Sequence, residues 1–155
     1  MSRYMMGIMT YDELNEYYHQ SWGEDRPTPR LPLDVSHDEN GVPNIHGFYP
    51  IDTYAVLSIE DKPVAWRGFG FIGGFITVGD TYTASTHRGR GLYKMLKAYH
   101  REQHGGIEIF GTTNDEEWWL QSFVDDGFIL NIEPSCEVTQ AFQDYYGQKW
   151  GVRHS

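Results

Sequence analysis

Apolar positions recur along this chain at two different periods, and each change of period marks a change of element. Leu14, Tyr17, Tyr18 and Trp22 fall at helical spacing. Before them, Thr10-Tyr11-Asp12-Glu13 has the separation of a capping box, so a first helix is expected over roughly 11–22. Residues 23–50 interrupt the pattern. Pro27, Pro29, Pro32, Pro43 and Pro50, with Gly23, Gly41 and Gly47, leave no room for a long element. A stretch of that length implies a short helix or a segment that covers a substrate. From Asp52 the residues favour strands. Thr53–Ile59 and 64–71 flank the turn Glu60-Asp61-Lys62-Pro63 as a hairpin, and Gly73-Gly74 leads to a third strand at Phe75–Thr83. A helix over about 90–103 presents Leu92, Met95, Leu96 and Tyr99 on one face, and a short strand follows at 107–112. Asn114, with Glu117 three residues on, is expected to cap the next helix. Trp118, Trp119 and Phe123 would be that helix's buried side and Gly127 its terminator. Residues 128–132 and 137–142 read as the last strands, and beyond Asp144 the pattern assigns no element. Two hairpin-linked strands ahead of the helix-crossed ones exclude a purely alternating doubly wound sheet. The expected class is α+β (mixed α/β) in one domain over 1–155, with crossover helices.

Composition narrows the function classes. In 155 residues there are 24 aromatic side chains (5 Trp, 11 Tyr, 8 Phe), enough large apolar area for one folded core. Twelve basic against 22 acidic residues give a formal charge of −10. Such a chain lacks the broad basic surface of a general nucleic-acid or anionic-membrane binder, and suits a cationic or amine partner. Cys136 is the only cysteine, which excludes an internal disulfide and a cysteine-rich zinc site. With no apolar run near the length of a membrane span and no basic-then-apolar start, the expected location is cytoplasmic.

Charge is distributed unevenly. Residues 81–101 contain no Asp or Glu, where an even spread would place about three, yet they hold Arg88, Arg90, Lys94, Lys97 and Arg101. Within this window a β-rich run ends, Gly89 and Gly91 follow, and an amphipathic helix starts. A strand-to-helix turn of this kind leaves backbone N–H groups at the positive end of the helix, where a phosphate can accept them.

The segment Arg88-Gly89-Arg90-Gly91-Leu92 resembles the Arg-x-x-Gly-x-Gly/Ala acyl-CoA motif of the GCN5-related N-acetyltransferases in its first four positions. The resemblance implies a central mixed, mostly antiparallel sheet flanked by helices. It also implies acetyl-CoA as co-substrate, its diphosphate held by the amides of Arg88, Gly89, Arg90, Gly91, Leu92 and Tyr93. Thr83, Ala84 and Ser85 would bond the pantetheine arm, with Asn114 as a further contact. The implied activity is transfer of an acetyl group to a primary amine, on a small cationic molecule or a lysine side chain, by a monomer or homodimer. Two positions depart from the family pattern. Tyr93 stands where Gly or Ala is usual, and Phe123, four residues before Gly127, stands where many members carry a proton-donating Tyr. The alternative implied by Phe123 is an acyl-CoA-binding or protein-interaction domain without turnover.

Two further motifs carry no such weight. Gly68-Phe-Gly-Phe-Ile-Gly73 matches a dinucleotide fingerprint, but the strand-like residues after it are not the helix that the fingerprint requires. His100 and His104 have i, i+4 spacing with Glu102 out of place for a zinc protease, and no metal is assigned. For acetyl transfer the nearest carboxylate is Asp80, three residues before Thr83, and it is taken as the base. Tyr82, two residues on along the same expected strand face, is taken as the acid. A backbone N–H at Thr83 or Ala84 would face the oxyanion. Tyr145, Tyr146 and Trp150 are open between core, dimer surface and acceptor site.

Overall fold

The computed structural model describes residues 3–27, 36–37, 43–44 and 51–154. Of the segment 23–50, where a short helix or covering segment is expected, Gly23–Asp25 form one 3-10 turn and most of the rest lies outside the described residues. Strand β1 (Tyr4–Thr10) runs directly into helix α1 (Tyr11–Trp22). The predicted capping box makes that corner: the Thr10 hydroxyl accepts from Glu13 N at 3.2 Å, and the Glu13 carboxylate from Thr10 N at 3.1 Å. After the short pair β2 (Ser36–His37) and β3 (Pro43–Asn44) come three long strands, β4 (Thr53–Ile59), β5 (Lys62–Ile72) and β6 (Phe75–Thr83). The turns between them are two residues each, Glu60-Asp61 and Gly73-Gly74. All four residues have positive φ, the geometry whose twist matches that of paired strands. Helix α2 (Leu92–Gln103) crosses to β7 (Glu108–Gly111), then follow α3 (Glu117–Asp125), β8 (Ile129–Leu130), α4 (Glu137–Tyr146) and β9 (Trp150–Arg153).

The large sheet has the order β1-β4-β5-β6-β7-β9-β8. Among the described strands of this sheet only β6 and β7 are parallel; every other pair is antiparallel. Helices cover both faces, as adjacent residues on one strand show. Trp66 on β5 meets Tyr18 of α1 at 5.4 Å between rings, while its neighbour Arg67 meets His100 of α2. On β7, Phe110 stacks on Phe123 of α3 at 3.7 Å, while Gly111 lies against Tyr146 of α4. Thus α2 and α3 share one face, and α1 and α4 the other.

Several expectations are corrected. Residues 137–142 form a helix, not a strand. Thr139 Oγ1 accepts from the Ser135 and Cys136 amides at its start, and Phe142 and Tyr146, four apart, are buried. The final strand is β9, which enters the sheet between β7 and β8 and makes Trp150 core. Tyr145, by contrast, is exposed. Asn114 does not cap α3: Glu116 occupies that position, and the Asn114 side chain accepts from Glu116 N at 2.9 Å in the preceding turn. Strand β1 has no counterpart in the expected order, because Tyr-Met-Met-Gly-Ile-Met-Thr does not alternate.

Candidate functional site

The parallel strands β6 and β7 pair only at Ile76↔Glu108 and Thr77↔Ile109. Past these two pairs the strands separate, and the opening continues into a cavity of about 690 Å³ on the α2/α3 side. Its walls come from β6 (Val78 to Thr83), the end of β7 with Thr112 after it, Arg88, with Tyr93 and Lys97 of α2, and α3. A bulge shapes the β6 wall. Trp66 pairs with Tyr82 and Gly68 with Gly79, so Asp80 and Thr81 together oppose the single residue Arg67. Asp80 has φ +48, an uncommon conformation that Asp tolerates better than most residues. Close approach requires Gly68 here: a Cβ would collide with Ile51 and lie 2.6 Å from Gly79 O.

At the turn before α2, Ser85–His87 form one 3-10 turn, Gly89 has φ +78, and Gly91 is the helix N-cap in the left-handed region. Among the described residues no side chain caps the first amides of α2, the arrangement that suits an anion. A Cβ at Gly89 or Gly91 would meet nothing within 4 Å, so these glycines serve the backbone conformation and leave the surface of the turn open.

The expected site residues do not all converge. Asp80, Tyr82, Thr83, Arg88 and Tyr93 line the cavity; Ala84, Ser85, Gly89, Arg90, Gly91, Leu92 and Asn114 are not among its lining residues. Tyr82 does not simply follow Asp80 on one strand face, because the bulge intervenes. It is largely buried, its ring packs on Trp66 at 4.7 Å, and the Arg88 guanidinium lies 5.9 Å from the ring centre. Burial raises the Tyr82 pKa and the Arg88 charge partly offsets this. Arg88 Nε also donates to Thr83 O at 2.9 Å. The Ala84 amide donates to Val64 O at 2.7 Å, which removes it as an oxyanion donor and leaves Thr83 of the two.

The basic window is only partly a positive surface. Lys97 and Arg101 both pair with Asp126, at 2.8 and 2.7 Å, and Arg101 also pairs with Glu108 at 2.9 Å. Glu108 in turn holds the buried Arg67 at 3.2 Å. Burial works against the charged form of both acids, but hydrogen bonds and charge from these cations win. Glu108 is held below the usual carboxylate range, and Asp126 at about 2. Arg67 Nη1 lies 2.5 Å from His100 Nδ1, so that nitrogen is the acceptor and the imidazole is neutral. Burial, reinforced by the Arg67 charge, lowers the His100 pKa to about 3. His100 is thus spent on a buried contact with Arg67 and stacks on Phe69 at 4.1 Å.

Sequence reasoning missed part of the wall. Trp118 is 62% exposed and not buried as expected, and it lines the cavity with Trp119, Ser122 and the half-buried Phe123. Thr112 Oγ1 fixes this edge by accepting from Trp119 Nε1 at 3.2 Å and Asn114 N at 3.1 Å. The signal that could have found it is that Gln121 and Ser122, three and four residues on from Trp118, are polar, so Trp118 belongs to no apolar row.

No protein-family model matches the sequence, and no curated protein matches it. Solved structures do match over nearly the whole chain. An acyl-CoA N-acyltransferase from Pseudomonas aeruginosa aligns with TM-score 0.52 at 12% identity, covering 97% of this chain and 99% of that one. Escherichia coli ElaA aligns with TM-score 0.54 at 12% identity over 99% and 100%. N-acetylglutamate synthase from Neisseria gonorrhoeae, complexed with coenzyme A and N-acetyl-glutamate, aligns with TM-score 0.54 at 11% identity. That match covers 96% of this chain but only 35% of the synthase. The protein has the acyl-CoA N-acyltransferase fold. The likeness to these structures is one of fold and covers nearly the whole chain.

Proposed function

We propose that this protein transfers an acetyl group from acetyl-CoA to a primary amine, both substrates being held together during direct attack on the thioester. The observation that supports this most is the position of the uncapped α2 N-terminus beside a cleft opened by two parallel strands. Amides of Arg88, Gly89, Arg90, Gly91, Leu92 and Tyr93 would hold the diphosphate, and Thr83, Ala84 and Ser85, with Asn114, the pantetheine arm. Arg88 bonds the Thr83 carbonyl in this structure, so its side chain would have to leave that oxygen for the arm to use it. Positioning of two reactants supplies much of the rate. The Thr83 amide would face the oxyanion, Asp80 would take the amine proton, and Tyr82, kept protonated by burial, would return one to the thiolate. Phe123 has no proton to give; it packs on Phe110 as part of the apolar wall.

The acidic remainder of the chain favours a cationic acceptor, such as a polyamine, an aminoglycoside or a lysine side chain. Among the described residues no helix is long and apolar enough to cross a membrane, and the lone, exposed Cys136 fits a reducing, cytoplasmic setting. The second reading, acyl-CoA binding without turnover, is favoured by Phe123.

Acetyl-CoA at one hundred times its Kd should stabilise the fold by about 2.7 kcal/mol, several degrees in Tm. In Gly91→Glu, which adds a strained side chain and a negative charge to the turn, that ligand-induced shift should vanish. An unchanged wild-type melt in millimolar acetyl-CoA would overturn the reading. Thiol release over a panel of amines then separates transferase from binder.

A further inference from the structure

Tyr54 lies wholly buried on β4, and its hydroxyl donates to Oδ2 of Asp80 at 2.7 Å. Asp80 belongs to the bulge and lines the cavity; Tyr54 does not. We infer that Tyr54 is a positioning residue that holds the Asp80 carboxylate ionised and fixed at the cavity wall, ready to take a proton from the acceptor amine. The inference rests on the reading of Asp80 as base.

Three features carry it. First, Asp80 sits at φ +48 in the only stretch of β6 where two residues oppose one, so the strand alone does not fix its direction. A hydrogen bond from a core side chain that cannot move does fix it. Second, Tyr54 is a donor at every working pH. Burial first, and then the Asp80 charge, push its pKa far above the ordinary phenol value. Third, a hydrogen bond to the charged form of a carboxyl favours that form, so Tyr54 lowers the pH at which Asp80 becomes a usable base. Other charged and titratable groups nearby act differently. Asp52 and Tyr11 are felt by Tyr54 from the α1 side. Arg67 faces the bulge from β5 but directs its guanidinium to Glu108 and His100, and Arg88 lies over Tyr82. Tyr54 reaches the carboxylate through the core.

The test uses the full chain with carbon-13 in the aspartate carboxyls, the Asp80 resonance being assigned by its loss in Asp80→Asn. In Tyr54→Phe, which removes only the hydroxyl, the Asp80 titration midpoint should rise by about one pH unit, a tenfold change in proton affinity. With 3-fluorotyrosine at position 54, an isosteric and stronger donor, it should fall. The acid limb of kcat, measured with acetyl-CoA and the panel amine that releases thiol fastest, should move with the midpoint, while KM for acetyl-CoA changes less than twofold. Identical midpoints in all three proteins overturn the inference, and so does a limb that stays put while the midpoint moves. If Asp80→Asn loses the limb but Tyr54→Phe keeps it, this inference alone fails. If Asp80→Asn keeps the wild-type profile, the base assignment falls and the positioning role with it.

Discussion

Mild acid should loosen this fold through one imidazole. His100 is fully buried between α2 and β5, is neutral, and accepts from Arg67. Its folded pKa of about 3 lies below the ordinary value of 6.5, so the unfolded chain binds the proton more readily. Stability must then fall as pH drops below 6.5, and this loss levels off only below about pH 3. At about 1.4 kcal/mol per pK unit, the cost between pH 7 and pH 5 is about 2 kcal/mol, or roughly 4–8 °C in Tm for a chain of this size. In that window the ion-paired acids stay charged, because Asp126 is held at about 2 and Glu108 is lowered. The loss can therefore be assigned to histidine. Urea unfolding at pH 7, 6 and 5 measures it, and His100→Gln, which cannot charge, isolates the residue from the other histidines. Wild type should lose about 2 kcal/mol more than the variant over this range. Equal slopes for the two proteins would refute the claim that His100 is buried and neutral.

Glu108→Gln should cost about 3 kcal/mol in urea unfolding at pH 7, since it leaves Arg67 and Arg101 without their shared anion, whereas Asp115→Asn should shift the same curve by less than about 1 kcal/mol because its pair with Lys149 is exposed. Gly68→Ala should cost about 1–3 kcal/mol and weaken acetyl-CoA binding in a titration. The added methyl presses on Ile51 and on Gly79 O, next to the bulge that shapes the cavity wall. Unchanged affinity with lowered stability would separate the bulge from the site.

Local chemistry accounts for the elements that could be read directly. The Thr10 and Glu13 pair starts α1 by its own hydrogen bonds, and Gly73-Gly74 turns the chain because only glycine takes those angles freely. The turn before α2 is legible for the same reason: Gly89 and Gly91, both at positive φ, are properties of a few consecutive residues. Residues 137–142 failed that test. Val138 and Phe142 suit a strand or a helix equally, and the deciding contacts, Phe142 with Trp150 and Tyr146 with Gly111, join segments that the sequence does not place side by side.

Charge shows the same division. Counting residues made 81–101 a basic window, but folding brought Asp126 and Glu108 onto Lys97 and Arg101 and left the positive character nearer the turn. By itself the chain determined where α1 starts and where two hairpins turn, because each depends on neighbours a few residues apart. Only the tertiary structure decided that β6 and β7 part after two pairs, that Trp118 stays exposed on the cavity wall, and that Tyr54 reaches Asp80. Those depend on distances between segments far apart in sequence, set by how the whole sheet packs between its helices.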